Sequence, residues 1–293
     1  MTDQQPKVES SSATWRSILR KKKIEMGRAV SPTPSELEAD NEAEEGSIIQ
    51  SNVLGRMFTL HDGNILKKAG RGVQLGEADA LRVAEAGGIP VPHVHGTETT
   101  PEGRKRIAMD YIEGTTLSDV WPDLSEDEKR AYAHQLRGIL TKMREIPPPQ
   151  GDYIGACDGK EMRDARSIHV HTSPVCYGED AFKEYLLSAL HRSIPQAVRN
   201  AFAQRLAKQP PHRIVLTHGD LAPRNVMVRD GKIAALVDWE DAGWYPEWWE
   251  YAKLFQRMVS MEKDWSSYAA DIFPQDYPDE LVDYTAISRW QNP

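Results

Sequence analysis

The segment His218-Gly219-Asp220-Leu221-Ala222-Pro223-Arg224-Asn225 sets an imidazole, a carboxylate and an amide within one short turn. Val237-Asp238-Trp239-Glu240 follows close behind with a second carboxylate. The apolar run Ile214-Val215-Leu216 leads into the first segment, and Val226-Met227-Val228 starts just after Asn225. After a turn at Asp230-Gly231, a third apolar run from Ile233 to Trp239 carries Asp238. Three short strands in this order would bring Asp220, Asn225 and Asp238 to neighbouring strand ends. That combination suits phosphoryl transfer: one carboxylate takes or orients the proton of an acceptor hydroxyl, while an amide and a second carboxylate hold Mg²⁺ against triphosphate oxygens. The competing reading is an ordinary polar turn, since Asp and Asn favour turns. The register of His218, Asp238 and the flanking strands argues against it.

The elements that must position these residues fall into two parts. From Ser47 to Met109 the pattern is one of short strands: Ile48-Ile49, Met57 to Leu60, Ile65-Leu66 and Arg106 to Tyr111, with a hairpin turn at His61-Asp62-Gly63-Asn64. One helix interrupts them, Glu77 to Ala86, stopped by Gly87-Gly88. Beyond a hinge at Ile112-Glu113-Gly114, Ser125 caps a helix running to Ile146, with Leu136, Ile139, Leu140 and Met143 on one face. Residues 150–178 read as loop. Further helices are expected from Glu179 to Arg192 and short of Pro210. The expected fold class is α+β and two-lobed: an N-terminal β-rich lobe over 47–111 and a larger, mainly helical lobe over 112–293. Residues 1–46 pair a basic stretch, Arg16 to Lys23, with an acidic one, Glu36 to Glu45, and bury too little apolar surface to order themselves; a disordered tail is expected.

The 293-residue chain carries a net charge of −8, which argues against general nucleic-acid binding. No apolar run reaches the roughly 18 residues a membrane span needs, and residues 1–13 lack an apolar signal core, so no stable membrane association is expected. Two cysteines, Cys157 and Cys176, make no disulfide framework and fit a reducing, cytoplasmic setting. No feature specifies an oligomer.

The spacing Asp220-x₄-Asn225 matches the H-R-D-x-x-x-x-N catalytic loop of protein kinases, and Asp238 falls where the metal-binding Asp of D-F-G lies. The segment His218 to Glu240 resembles the aminoglycoside phosphotransferase family, the small-molecule branch of the protein-kinase-like fold. There the loop reads H-G-D-x-x-x-x-N and the second motif I-D-W-E. The stretch Ala242 to Tyr251 is similar to the fungal branch of that family. The likeness spans about residues 47–290 and is strongest over 214–255. It implies ATP and Mg²⁺, with Asp220 as catalytic base assisted by His218, and Asn225 and Asp238 as metal ligands. A lysine at the end of Ile65-Leu66 would contact the α- and β-phosphates. Lys67 and Lys68 both qualify, and Lys67 fits the V-V-K pattern better, with Glu77 as its ion-pair partner. Met109 to Ile112, through the backbone of Met109 and Tyr111, would read the adenine edge. A Gly-rich phosphate loop is missing: Asn52 to Arg56 offers a single glycine, Gly55.

Other features invite functions they do not support. His93-Val94-His95 and His169-Val170-His171 lack the four closely spaced ligands of a zinc site and read as surface histidines. Trp244, Tyr245, Trp248, Trp249 and Tyr251 could cage a quaternary ammonium, but packing is the stronger reading. Seven acidic residues between Glu262 and Asp283, against Lys263 alone, could wall a pocket for an amine-bearing acceptor. The leading function is thus an ATP:small-molecule kinase acting on an alcohol. Two alternatives are a choline- or ethanolamine-kinase-like enzyme and a catalytically inactive kinase-like binding module. A protein kinase fits least, for want of D-F-G and A-P-E segments.

Overall fold

The computed structural model describes residues 47–52, 56–165, 170–256 and 264–291. The expected tail over 1–46 and His169 lie outside them, as do Glu262 and Lys263. The chain opens with strands β1 (Ser47–Asn52), β2 (Arg56–His61) and β3 (Ile65–Gly70), then helix α1 (Gly76–Ala86) and strands β4 (Val94–Thr99) and β5 (Lys105–Asp110). These form an antiparallel sheet in the order β1-β2-β3-β5-β4. The β2–β3 hairpin turns on Asp62 and Gly63, both at positive φ, as an Asp-Gly pair between strands predicts.

At Gly114 (φ 138°) a Cβ would lie 2.4 Å from the Val228 carbonyl oxygen, so the passage into the second lobe needs glycine there. Next come β6 (Thr115–Thr116), the one-turn helix α2 (Leu117–Val120) and α3 (Glu126–Met143). Ser125 and Glu128 make the reciprocal capping box that starts α3, and Leu136, Leu140 and Met143 bury its apolar face. Residues 150–178 differ from the expected loop: they form β7 (Tyr153–Ala156), β8 (Met162–Ala165), β9 (Val170–Ser173) and β10 (Cys176–Tyr177). Strands of two to four residues are too short to show a period-two pattern, and β7 finds one of its partners far along the chain.

Helices α4 (Glu179–Ser188) and α5 (Gln196–Leu206) precede β11 (Ile214–Thr217), β12 (Val226–Arg229), β13 (Lys232–Leu236) and β14 (Gly243–Pro246). Then follow α6 (Trp249–Gln256), the one-turn α7 (Ala269–Ile272) and α8 (Pro278–Gln291). β12 and β13 pair through a second Asp-Gly turn, Asp230-Gly231, again at positive φ. A separate sheet runs β10-β7-β14-β11. The α+β, two-lobed expectation is met. One apolar core joins α1 and the first sheet to α3 and the strands around 216–244, and a second gathers aromatic rings between α4, α6, β14 and α8. Trp244, Tyr245, Trp248 and Trp249 are buried in these cores, so the aromatic cluster is packing rather than a ligand cage. Among the described residues no helix is long and apolar enough to cross a membrane.

Candidate active site

β11 delivers the chain into the turn 218–225, where Gly219 takes φ 83° and a Cβ would meet the Asp241 carbonyl oxygen at 2.5 Å. A side chain at 219 is therefore excluded, and the motif reads H-G-D. His218 is fully buried. Its Nδ1 accepts from the Asp220 amide (3.3 Å) and its Nε2 donates to the Val237 carbonyl (3.0 Å), which fixes the neutral Nε2–H tautomer. Burial holds its pKa below the ordinary value and favours that neutral form. Packed against Trp239, the ring braces the Asp220 loop against the Asp238 loop.

Glu250 of α6 supports the same turn from below, accepting the His218 amide (2.5 Å) and the Gly219 amide (3.1 Å). Burial pushes its carboxyl up to about 7, against the pull of those two N–H groups. The Asp220 carboxylate accepts from Arg224 Nη2 at 2.7 and 2.8 Å and from Asn225 Nδ2 at 3.1 Å. Asn225 also donates to the Asp220 carbonyl (2.8 Å), and its own carbonyl accepts from Val237 N (3.0 Å). Asp220, Asn225 and the strand end bearing Asp238 are thus tied together by hydrogen bonds, as their spacing predicts.

On the other side, Lys68 rather than Lys67 makes the expected ion pair. Its Nζ lies 2.6 Å from Glu77 Oε2 and 2.7 Å from Asp238 Oδ1, and the side chain is 2% exposed. Neighbouring strand residues face opposite ways, so Lys67, one position earlier and only half-buried, points off the other face of β3. Asp238 sits at φ 65°, a left-handed conformation that a non-glycine residue adopts only where surrounding contacts hold it. Burial raises its pKa, but Lys68, and then Arg56, overcome this and hold it down to about 2. Burial also pushes Glu77 up to about 7 despite Lys68. The expected adenine-reading backbone is engaged inside the protein: Met109 pairs with Leu66 and Val94 within the sheet, and the Tyr111 amide donates to the Asn64 carbonyl (2.8 Å).

Several residues of the site escaped the sequence reading. Arg56 reaches Glu240 at 2.7 Å, and Arg163 of β8 lies 3.2 Å from Asp241 and 3.6 Å from Glu240. Burial, with Glu240 adding its like charge, raises Asp241 to about 7. β8 alternates, so while Arg163 faces the site, Asp164 points inward to Lys253 Nζ (2.7 Å) and the Tyr284 hydroxyl (2.7 Å), which pins β8 to α6 and α8. Several acids of the C-terminal stretch are engaged in ion pairs. Asp264 pairs with Lys129, Asp271 with His134, Asp279 and Asp283 with Arg205, and Glu280 with His212. His93 and His95 are exposed and bound to Glu85 and Asp110, as surface histidines.

Carboxylate oxygens of Glu77, Asp238 and Glu240 lie within 4.8 Å of one another. Hard oxygen donors of this kind suit Mg²⁺. The family model for the phosphotransferase enzyme family APH matches residues 47–283. The chain belongs to that phosphotransferase family. Its fold is similar to the apo form of a thermostable mutant of the aminoglycoside phosphotransferase APH(4)-Ia (TM-score 0.59, 14% identity, 87% of this chain and 88% of that one). It is also similar to a ternary complex of APH(2")-IIa with streptomycin and ATP (TM-score 0.55, 17% identity, 89% and 90%). A ternary complex of the APH(4)-Ia mutant with AMP-PNP and hygromycin B matches at TM-score 0.54 and 16% identity, covering 87% and 88%. At such identities the likeness to these phosphotransferases is one of fold.

Proposed function

We propose that the chain moves the γ-phosphoryl group of ATP to a hydroxyl of a small molecule, with Asp220 as the base. One observation carries this reading: His218 bonds the Asp220 amide with one ring nitrogen and the Val237 carbonyl with the other, so a base and a phosphate-side carboxylate are held on one rigid brace. In the proposed reaction the acceptor oxygen attacks the γ-phosphorus and its proton passes to an Asp220 oxygen. The bond to the β-phosphate oxygen breaks, and ADP leaves. Arg224 and Asn225 orient the Asp220 carboxylate for that proton. Lys68, aimed by Glu77, would hold the α- and β-phosphates. Asp238 and Asn225 would hold Mg²⁺, which when bound neutralises phosphate oxygens.

The acceptor is read as a small hydroxyl compound, and one that also bears amine groups suits the chain's net charge of −8. The buried Lys68–Glu77 pair weighs against an inactive binding module. We place the lobe boundary near Tyr111 and the protein in the cytoplasm. The reading is tested by titrating the purified chain with ATP, with and without Mg²⁺, and then assaying ADP release across a panel of hydroxyl metabolites. Mg²⁺-dependent ATP binding and release with at least one alcohol are expected; failure to bind ATP would remove the proposal.

A further inference from the structure

We infer that Asp158 and Ile146 are positioning residues of the second lobe: they wedge α1 at its two ends and so hold Glu77 on Lys68. This rests on the ATP reading above. The decisive feature is a pair of glycines, one at each end of α1. A Cβ on Gly76, the first residue of the helix, would lie 2.9 Å from Asp158 Oδ2 and 3.0 Å from its Cγ. A Cβ on Gly87, just past the last residue, would lie 2.1 Å from Ile146 Cδ1 and 2.7 Å from its Cγ1. Neither glycine is needed for its conformational freedom: Gly87 has φ −80°, and Gly76 also lies outside the left-handed region. Gly88 differs, taking φ 73° with nothing within 4 Å of an added Cβ. The two glycines that end α1 thus divide the work: Gly88 turns the chain, and Gly87 leaves room for Ile146.

Both opposing side chains are themselves held. Asp158 lies in the turn between β7 and β8, where its Oδ1 accepts from the Lys160 amide (3.1 Å) and its Oδ2 from Lys160 Nζ (2.8 Å). A carboxylate at the start of a helix also suits the helix dipole. Ile146 follows α3 and packs against the apolar core that α1 and α3 share. Just beyond Gly88, the Pro90 carbonyl accepts from the Leu236 amide of β13 (2.8 Å), a further tie between this end of α1 and the second lobe. Glu77 adjoins Gly76, so a shift at that end carries its carboxylate off Lys68 Nζ, which it meets at 2.6 Å. Charge-assisted hydrogen bonds of that length tolerate little stretching.

The inference is tested by equilibrium binding of ATP and of adenosine to the wild-type chain, Gly76→Ala, Gly87→Ala, and the pairs Gly76→Ala/Asp158→Ala and Gly87→Ala/Ile146→Ala. Alanine is the better helix former, so without the wedge both single changes would stabilise α1 and leave binding intact. With it, Gly87→Ala should weaken ATP about tenfold and Gly76→Ala about threefold, since an Asp side chain yields more easily than a branched one packed on the core. Adenosine has no phosphate to meet Lys68, so its affinity should stay at the wild-type level and doubles as the check on folding. Each paired variant should recover most of the loss, because the added methyl takes the space its partner vacates. In a Glu77→Gln chain, adding Gly87→Ala should cost no further ATP affinity, because the wedge acts through Glu77. Unchanged ATP affinity in either single variant would overturn the inference, as would pairs that fail to recover or a full additional loss on Glu77→Gln. A wild-type chain that binds adenosine but not ATP would remove the ATP reading, and this inference with it.

Discussion

Asp220, Arg224 and Asn225 come from a single turn, whereas Arg56, Lys68, Glu77, Asp238 and Glu240 arrive from four separate parts of the chain. The first group is organised by hydrogen bonds in and around one turn: the His218 brace, the Asn225 amide, the Arg224–Asp220 ion pair and the two backbone N–H groups held by Glu250. The second is organised by charge, with Lys68 between Glu77 and Asp238, and Arg56 between Asp238 and Glu240. Local bonds fix a geometry that survives as long as the turn does. Charge pairs assembled from β2, β3 and α1 exist only once both lobes are folded and docked. The base side should therefore tolerate changes in the first lobe, and the phosphate side should not.

The sharpest way to break this contrast is to remove the central cation. Lys68→Ala leaves Glu77 buried without its partner and should lower stability by about 3 kcal/mol, with turnover down on the order of a hundredfold or more. Lys67→Ala should change either by no more than about twofold, since its side chain leaves the other face of the strand. Thermal melts and steady-state kinetics on the pair would show it. Equal effects would put the wrong lysine at the site.

On the base side, Glu250→Ala strands two buried N–H donors, and about 2–4 kcal/mol of stability should go with them. Denaturant unfolding would measure this, and ATP affinity should be retained where the protein remains folded. Glu250 also sets a pH dependence. Its carboxyl and that of Asp241, ordinarily near 4.5 and 3.8, are raised to about 7 in the folded chain. The folded state thus binds these protons more tightly than the unfolded one. Their contribution to stability is complete below about pH 4 and is lost as pH rises toward 7. Urea midpoints across that range should fall with pH, and Glu250→Gln should flatten the slope. A slope unaffected by the substitution would contradict the assignment. A smaller effect than that of Lys68→Ala belongs to Arg224→Ala, which frees the Asp220 carboxylate to rotate. The expected loss in kcat is about tenfold, with ATP affinity unchanged and partial recovery in Arg224→Lys.

The same contrast explains what the sequence disclosed. The base side was legible because its residues are contiguous and flanked by apolar strands, and both Asp-Gly hairpins announced themselves at the turn. The phosphate side was half legible. Glu77 was placed correctly at the start of α1, but its partner was missed by one residue, and in a strand one residue is the difference between two faces. Arg56, Glu240 and Arg163 carried no local signal, because their meaning lies in contacts across 184 and 78 positions of the chain. The pairing of the acidic C-terminal run was hidden for the same reason: Lys129, His134, Arg205 and His212, which contact it, lie far upstream. The strands within 150–178 were too short to show a pattern, yet β8 carries Arg163 into the site.

The central claim is that Asp220 takes the proton of a hydroxyl that attacks ATP. It is tested most directly by comparing wild type with Asp220→Asn, following phosphoryl transfer from ATP to an accepted alcohol by ³¹P NMR. An amide cannot act as the base, so turnover should drop on the order of a thousandfold while Mg²⁺-dependent ATP binding stays at the wild-type level. A phosphoester formed by Asp220→Asn at a rate close to wild type would contradict the account.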